Sequence, residues 1–250
     1  MPGFKAAVMI EMYKLIKKKK IFAAAVLSIV AVIVGQIALL AIKGGMGLKV
    51  AGSAEFPMVV LTVFIYTILP LFTAMVAIDM FSGEFSSNTM KITLAKPVSR
   101  FGIYSAKVLN IALFIMANLL FVMMITIVAG LIFNDTTSNL SSFLKVLISY
   151  ITTFLPVFTF SLFIVMLSNI LKGGLSVFFL SILTFICLTF LEVAFSRYSS
   201  FFITSMFGWY RLWISDAPNI FKIIRQFLIM IGCGIMFFTA GYYLFEKRDL

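Results

Sequence analysis

The residues best placed to do specific chemistry lie in one stretch, Asp79-Met80-Phe81-Ser82-Gly83-Glu84-Phe85-Ser86-Ser87-Asn88-Thr89-Met90-Lys91-Ile92-Thr93-Leu94-Ala95-Lys96-Pro97-Val98-Ser99-Arg100, followed by Lys107. Their chemistry is recognition rather than bond making. Ser82 is a helix N-cap by type, and Glu84 then falls in the first turn, where exposed backbone N–H groups favour a carboxylate. Phe81, Phe85, Thr89 and Ile92 fall near one face of a short helix. Pro97 ends that helix, because the residue before a proline is pushed out of the α region. So short a helix is not stable alone in water and needs a surface to dock on. Taken singly, Lys91, Lys96, Arg100 and Lys107 would do no more than hold the loop on one side of a membrane.

Other chemistries are missing their residues. The chain has no histidine, so Ser-His-Asp, Cys-His and His-metal sites are excluded. Cys187 and Cys233 each sit inside a long apolar run, which argues against a disulfide framework or zinc ribbon and for two small buried hydrophobes. No G-x-x-x-x-G-K-[ST] occurs, and no loop is long enough for a nucleotide-binding domain, so this chain does not hydrolyse ATP. Coupling to ions within the membrane is disfavoured, since Asp79 and Glu192 lie near span ends rather than at midplane. Catalytic, cofactor-binding and metal residues are therefore all expected to be none.

The elements that must carry the loop are membrane helices. Of 250 residues 62% are hydrophobic and 12% charged, against about half and about a quarter in a soluble domain. A span needs about 20 mostly apolar residues, and six stretches provide them: Ile21–Ile42, Phe56–Ile78, Val108–Phe133, Val146–Leu167, Leu175–Phe195 and Phe227–Phe245. They are apolar all round rather than alternating, which favours helices over membrane strands. The first is too long for the core of a cleaved signal peptide. The fold class is thus all-α: a polytopic membrane protein forming a single transmembrane domain over residues 1–250.

Charge sets the orientation. Of the 20 Lys and Arg residues, about thirteen fall on the N-terminal side of the membrane and about seven on the other, which places both termini in the cytoplasm; the expected location is the plasma membrane. The net charge of +11 is thereby a topology signal and implies no nucleic acid. Phe4–Lys20 carries Phe4, Ala7, Val8, Met12, Leu15 and Ile16 near helical period, with Lys5, Glu11, Lys14 and Lys17 elsewhere on the wheel. It reads as an amphipathic interfacial helix on anionic lipid, against the plainer alternative of a basic tail. Residues 196–226, between the fifth and sixth spans, read as two short outer helices broken near Gly208 and at Asp216-Ala217-Pro218, with Pro218 just inside a helix start. Trp209, Tyr210 and Trp213 are their candidate contacts with substrate or lipid, the alternative being an aromatic belt at headgroup level.

The run Glu84…Asn88-Thr89…Leu94-Ala95-Lys96-Pro97-Val98-Ser99-Arg100, with Lys107 at the mouth of the next span, resembles the signature loop of permease subunits of type-2 ABC exporters. In that family an acidic residue is followed by a Gly-Thr pair, a Leu-Leu-Ser or similar step, a Pro-hydrophobic-Ser-Arg turn and a downstream lysine. Asn88 stands where the family usually has glycine, and asparagine tolerates left-handed backbone better than most residues. Glu11 and Lys14 in a basic N-terminus resemble the family's interfacial helix. The resemblance implies a cytoplasmic coupling helix between spans two and three, with Glu84, Phe85, Asn88, Thr89, Leu94, Lys96, Pro97 and Arg100 meeting an ATP-hydrolysing partner.

It also implies the assembly: two ATP-binding subunits that hold ATP and magnesium, and a second permease copy or related chain, all in membrane lipid. The expected function is outward movement of a hydrophobic or amphipathic substrate, such as a peptide antibiotic or toxin. Uncharged polar residues of the spans, among them Gln36, Asn118, Thr126 and Thr153, set among Phe and Met, suit such cargo better than a small ion. The alternative from a different class is a non-transporting scaffold or sensor subunit that binds an amphipathic ligand at the outer face.

Overall fold

A computed structural model describes residues 2–46, 55–87, 89–90, 98–133, 140–171, 173–195, 202–215 and 217–248. Every regular element among them is helical: α1 (Pro2–Ile16), α2 (Lys19–Met46), α3 (Phe56–Tyr66), α4 (Ile68–Met80), α5 (Ser82–Ser86), α6 (Arg100–Phe133), α7 (Leu140–Ile170), α8 (Gly174–Ala194), a 3-10 turn (Thr204–Trp209), α9 (Tyr210–Ile214) and α10 (Ile220–Lys247). Among the described residues six helical stretches are long and apolar enough to cross a membrane, counting α4 and α5 together as 68–86. The chain is a multi-pass, all-α membrane protein.

Four of the spans, α2, α6, α7 and α10, are longer than hydropathy indicates, and the excess matters for α6. Its 34 residues rise about 51 Å at 1.5 Å each, well beyond a hydrocarbon core of about 30 Å. The Arg100–Lys107 end can thus project past the apolar layer. The second span is two helices rather than one. Pro70 has no N–H for the Tyr66 carbonyl and its ring crowds that carbonyl, so the helix breaks at Thr67, with φ −125° and ψ −78° and a tighter bond from its N–H to Phe64 O.

α7 is the centre of the bundle, packing against α4, α6, α9 and α10. It brings buried hydroxyls into that core and spends them locally: Ser149 on Lys145 O, Thr153 on Ser149 O, Thr159 on Leu155 O and Ser161 on Phe158 O. Small residues bonded to their own helix let neighbours approach without an orphaned polar group. Thr126 of α6 likewise bonds Val122 O. These threonines are therefore packing residues, not a polar lining. The cysteines differ from expectation: Cys187 is exposed on α8 and Cys233 half-buried on α10, both as free thiols.

α1 also differs from its amphipathic reading. The face it buries on α6 is Ala7, Glu11 and Leu15, one helical turn apart, while Phe4, Met12 and Ile16 point outward. The apolar residues run most of the way round this helix, so the charged partners on α6 decide which face turns in.

At the other end, the 3-10 turn runs straight through Gly208 into α9, so there is no break at that glycine. Pro218 lies outside α10, whose N-cap is Asn219, with its side chain accepting from Lys222 N–H. Asp216 is outside the described residues.

Candidate functional site

Three elements meet at the end of the bundle that carries α1 and α5, and each contributes a charge. Lys107, fully buried on α6 at 0% exposure, donates to Glu11 Oε2 of α1 at 2.7 Å and to Glu84 Oε2 of α5 at 2.8 Å. Lys14, one turn from Glu11, closes the ring on the remaining oxygens, 2.8 Å from Glu11 Oε1 and 3.2 Å from Glu84 Oε1. Signs alternate round the ring, and its charges cancel. A buried ammonium or carboxylate alone is very costly, so burial of these four requires that they stay together. Burial by itself would raise the Glu11 carboxyl. The Lys107 ammonium and its hydrogen bond, helped by Lys14, outweigh that and hold it below the ordinary carboxylate range. Asn110 adds a neutral bridge, donating to Val8 O of α1 at 3.2 Å.

The local structure explains how Glu84 gets there. Phe81, not Ser82, is the N-cap of α5, and its N–H still bonds Ala77 O and Ile78 O of α4. α5 is thus a folded-over continuation of α4. Glu84 falls in the first turn as expected, but its carboxylate is used on Lys107 and Lys14.

Phe81 does not face a partner either. It is fully buried against Tyr104 and Phe245, with ring centroids 5.5 and 6.0 Å apart. Phe85 is half-buried, packed on Phe245 and covered by the Arg248 guanidinium at 4.0 Å. Arg248 continues to Ser168 O and Leu171 O at the end of α7. Arg100 donates to Glu246 O of α10 at 2.7 Å. Thr89 hydrogen-bonds Ser87 and donates to Glu84 O. The five-residue α5 is accordingly locked to α1, α6, α7 and α10, while Ser86, Ser87, Thr89 and Arg100 are left exposed. Asn88, Leu94, Lys96 and Pro97 lie outside the described residues, as does Ile92.

Glu11 and Lys14 are distant in sequence from Glu84 and Lys107, and only the fold reveals that the four form one ring. A signal existed: Glu11 is the sole acidic residue before Glu55, and Lys107 the sole charge between Arg100 and Asp135. Isolated charges in apolar segments must find partners.

At the opposite end, the three aromatic candidates divide. Trp209 and Tyr210 are buried, and only Trp213, 44% exposed, presents a surface. Trp209 packs edge-on to Trp213 at 5.4 Å and stacks on Phe227 at 6.3 Å. The Tyr210 hydroxyl bonds Thr62 Oγ1 at 2.6 Å. They anchor this aromatic cap onto α3 and α10. Just inside lies a cleft of about 340 Å³ at the Thr67 break, lined by Tyr66, Pro70, Leu71, Phe160, Ser181 and Phe185 among others. Among the described residues, no group of three or more Cys, Asp or Glu side chains could hold a metal ion.

Residues 7–191 match the family model described as ABC-2 family transporter protein. No curated protein matches the chain. The matched segment includes the whole ion ring and ends before the aromatic cap of residues 204–214.

Proposed function

The chain belongs to the ABC-2 transporter family, a family of membrane transport components rather than catalysts that normally work with an ATP-binding ABC subunit. From that premise we propose that it is the permease subunit of an ATP-driven exporter. ATP and magnesium are bound by a separate subunit, which docks beneath α5. A second permease, identical or related, completes the pathway. In this reading the chain lies in the plasma membrane with both termini in the cytoplasm. The observation that carries the proposal is the Glu11–Lys14–Glu84–Lys107 ring. A push on α5 cannot be absorbed locally, because its carboxylate is clamped to α6 and α1 and its phenylalanine to α10. Displacement of the docking loop therefore moves spans two, three and six as a unit.

The apolar cleft at the Thr67 break and the threonines spent on their own helices support a hydrophobic or amphipathic cargo over a small hydrophilic ion. The break gives the second span a place to flex. The test is ATP hydrolysis by the cognate ATP-binding subunit co-reconstituted with this chain. Hydrolysis stimulated by the wild type and lost with Arg100→Ala or Thr89→Ala, both in assembled complexes, supports the proposal. A chain that forms no complex with any ABC subunit encoded beside it refutes it.

A further inference from the structure

A second cleft lies beside the ring but shares none of its residues. The start of α2, the end of α4, Gly83 and the first turns of α8 enclose about 310 Å³. Its rim is charged. Lys20 Nζ donates to Asp79 Oδ1 at 2.8 Å, while Lys18 Nζ lies 3.7 Å from Asp79 Oδ2 and donates to Asp79 O at 3.2 Å. One carboxylate thus faces two ammoniums, leaving a unit of positive charge. Burial pulls the Lys18 amine below the ordinary lysine range; the Asp79 and Glu84 carboxylates oppose this, and the ammoniums of Lys107 and Lys20 reinforce it. An added anion would relieve that imbalance.

Below the rim the walls are apolar: Met75, Ile78, Leu175 and Phe178. Glycine keeps the space open, since a Cβ on Gly174 would come 3.2 Å from Ile78 Cγ2. The cleft opens where α2, α4 and α8 all end, so its charged rim sits at headgroup depth and its walls run into the apolar layer. Basic pockets between helix ends are suited to anionic headgroups.

We infer that this cleft binds one anionic phospholipid, its phosphate on Lys18 and Lys20 and one acyl chain along Met75, Ile78, Leu175 and Phe178. The lipid would bridge the fifth span to the first and second, close to α5. The inference rests on the span assignment alone and is independent of the proposed transport activity.

The test uses the purified full chain in nanodiscs of equimolar phosphatidylglycerol and phosphatidylcholine with the same acyl chains, followed by native mass spectrometry of the retained lipid. The wild type is expected to keep one phosphatidylglycerol, preferred about tenfold. Lys18→Gln/Lys20→Gln should abolish the preference, and Gly174→Leu should do so without changing any charge. Lys17→Gln/Lys19→Gln removes the same charge from outside the cleft and should leave it intact. Asp79→Asn should strengthen retention severalfold, a gain that misfolding cannot produce. Equal losses from both lysine pairs would mean diffuse attraction and overturn the inference, as would an Asp79→Asn chain that gains nothing. Displacement of the lipid by millimolar inorganic phosphate would make this a free-anion site and overturn the lipid assignment.

Discussion

Removing Lys107 strikes the point on which α1, α5 and α6 converge. The Glu11 and Glu84 oxygens that it bridges, at 2.7 and 2.8 Å, are at most about 5.5 Å apart. At an effective dielectric of about 20 their repulsion is about 3 kcal/mol once the ammonium is gone. Lys14, which is only partly buried, remains as a single counter-charge for two carboxylates. Breaking a buried pair from one side costs about 3–5 kcal/mol, so Lys107→Met should lower the melting temperature by roughly 6–20 °C for a chain of this size. The assay is the fraction of full chain that stays monodisperse after heating in detergent. Glu11→Gln/Lys107→Met should be milder than the sum of its single changes by about 1–3 kcal/mol. Lys107→Met melting within about 2 °C of wild type would refute the ring as a structural clamp.

Acid should weaken the same junction. Glu11 titrates below its ordinary value of 4.5 in the folded chain, so its stabilisation is fully present above about pH 4.5 and is lost as pH falls through the lowered value. A melting series from pH 7 downward should show this, and Glu11→Gln should flatten it. Tyr104 fits under α10 only because residue 241 is glycine: a Cβ there would lie 2.5 Å from the Tyr104 hydroxyl and 3.5 Å from Met166 Cα. Gly241→Ala should cost about 1–3 kcal/mol, and Tyr104→Phe should recover part of it in the double variant's melt. Tyr210→Phe removes the bond to Thr62 and should weaken the aromatic cap by about 0.5–1.5 kcal/mol, read as faster amide exchange over 204–214 with the opposite end unchanged. An unchanged exchange rate would show that the aromatic packing alone holds the cap.

The spans were legible because a long apolar run is a local property, and the sixfold pattern survives in the fold. Glu84 was legible as a helix-start carboxylate between spans two and three. Its purpose was not, because that depends on Glu11 and Lys107, which lie 73 residues before and 23 residues after it in the chain. Periodicity misassigned α1, since a helix apolar most of the way round offers no unique face, and one buried carboxylate outweighed Met12 and Ile16. The shared face of Phe81 and Phe85 was legible, since both rings pack on Phe245, but that its surface is α10 of the same chain was not. The break at Thr67 carried a readable sign in Pro70, hidden by the continuous hydropathy around it. Trp209 and Tyr210 read by type as contacts for substrate or lipid, yet both are buried in the packed aromatic cap, and Thr62 supplies the partner for the Tyr210 hydroxyl.

We propose that the chain exports cargo with force passed through the ring and the docking loop. The most direct test is ATP-dependent accumulation of an amphipathic probe in sealed proteoliposomes holding the chain and its ATP-binding subunit. The decisive variant is Glu11→Leu/Glu84→Leu/Lys107→Met, in which apolar replacement of the buried ions retains the fold. The wild type should accumulate the probe, and the folded, assembled triple variant should hydrolyse ATP without moving it. Undiminished accumulation by the triple variant, or none by the wild type at any ATP concentration, would contradict this proposal.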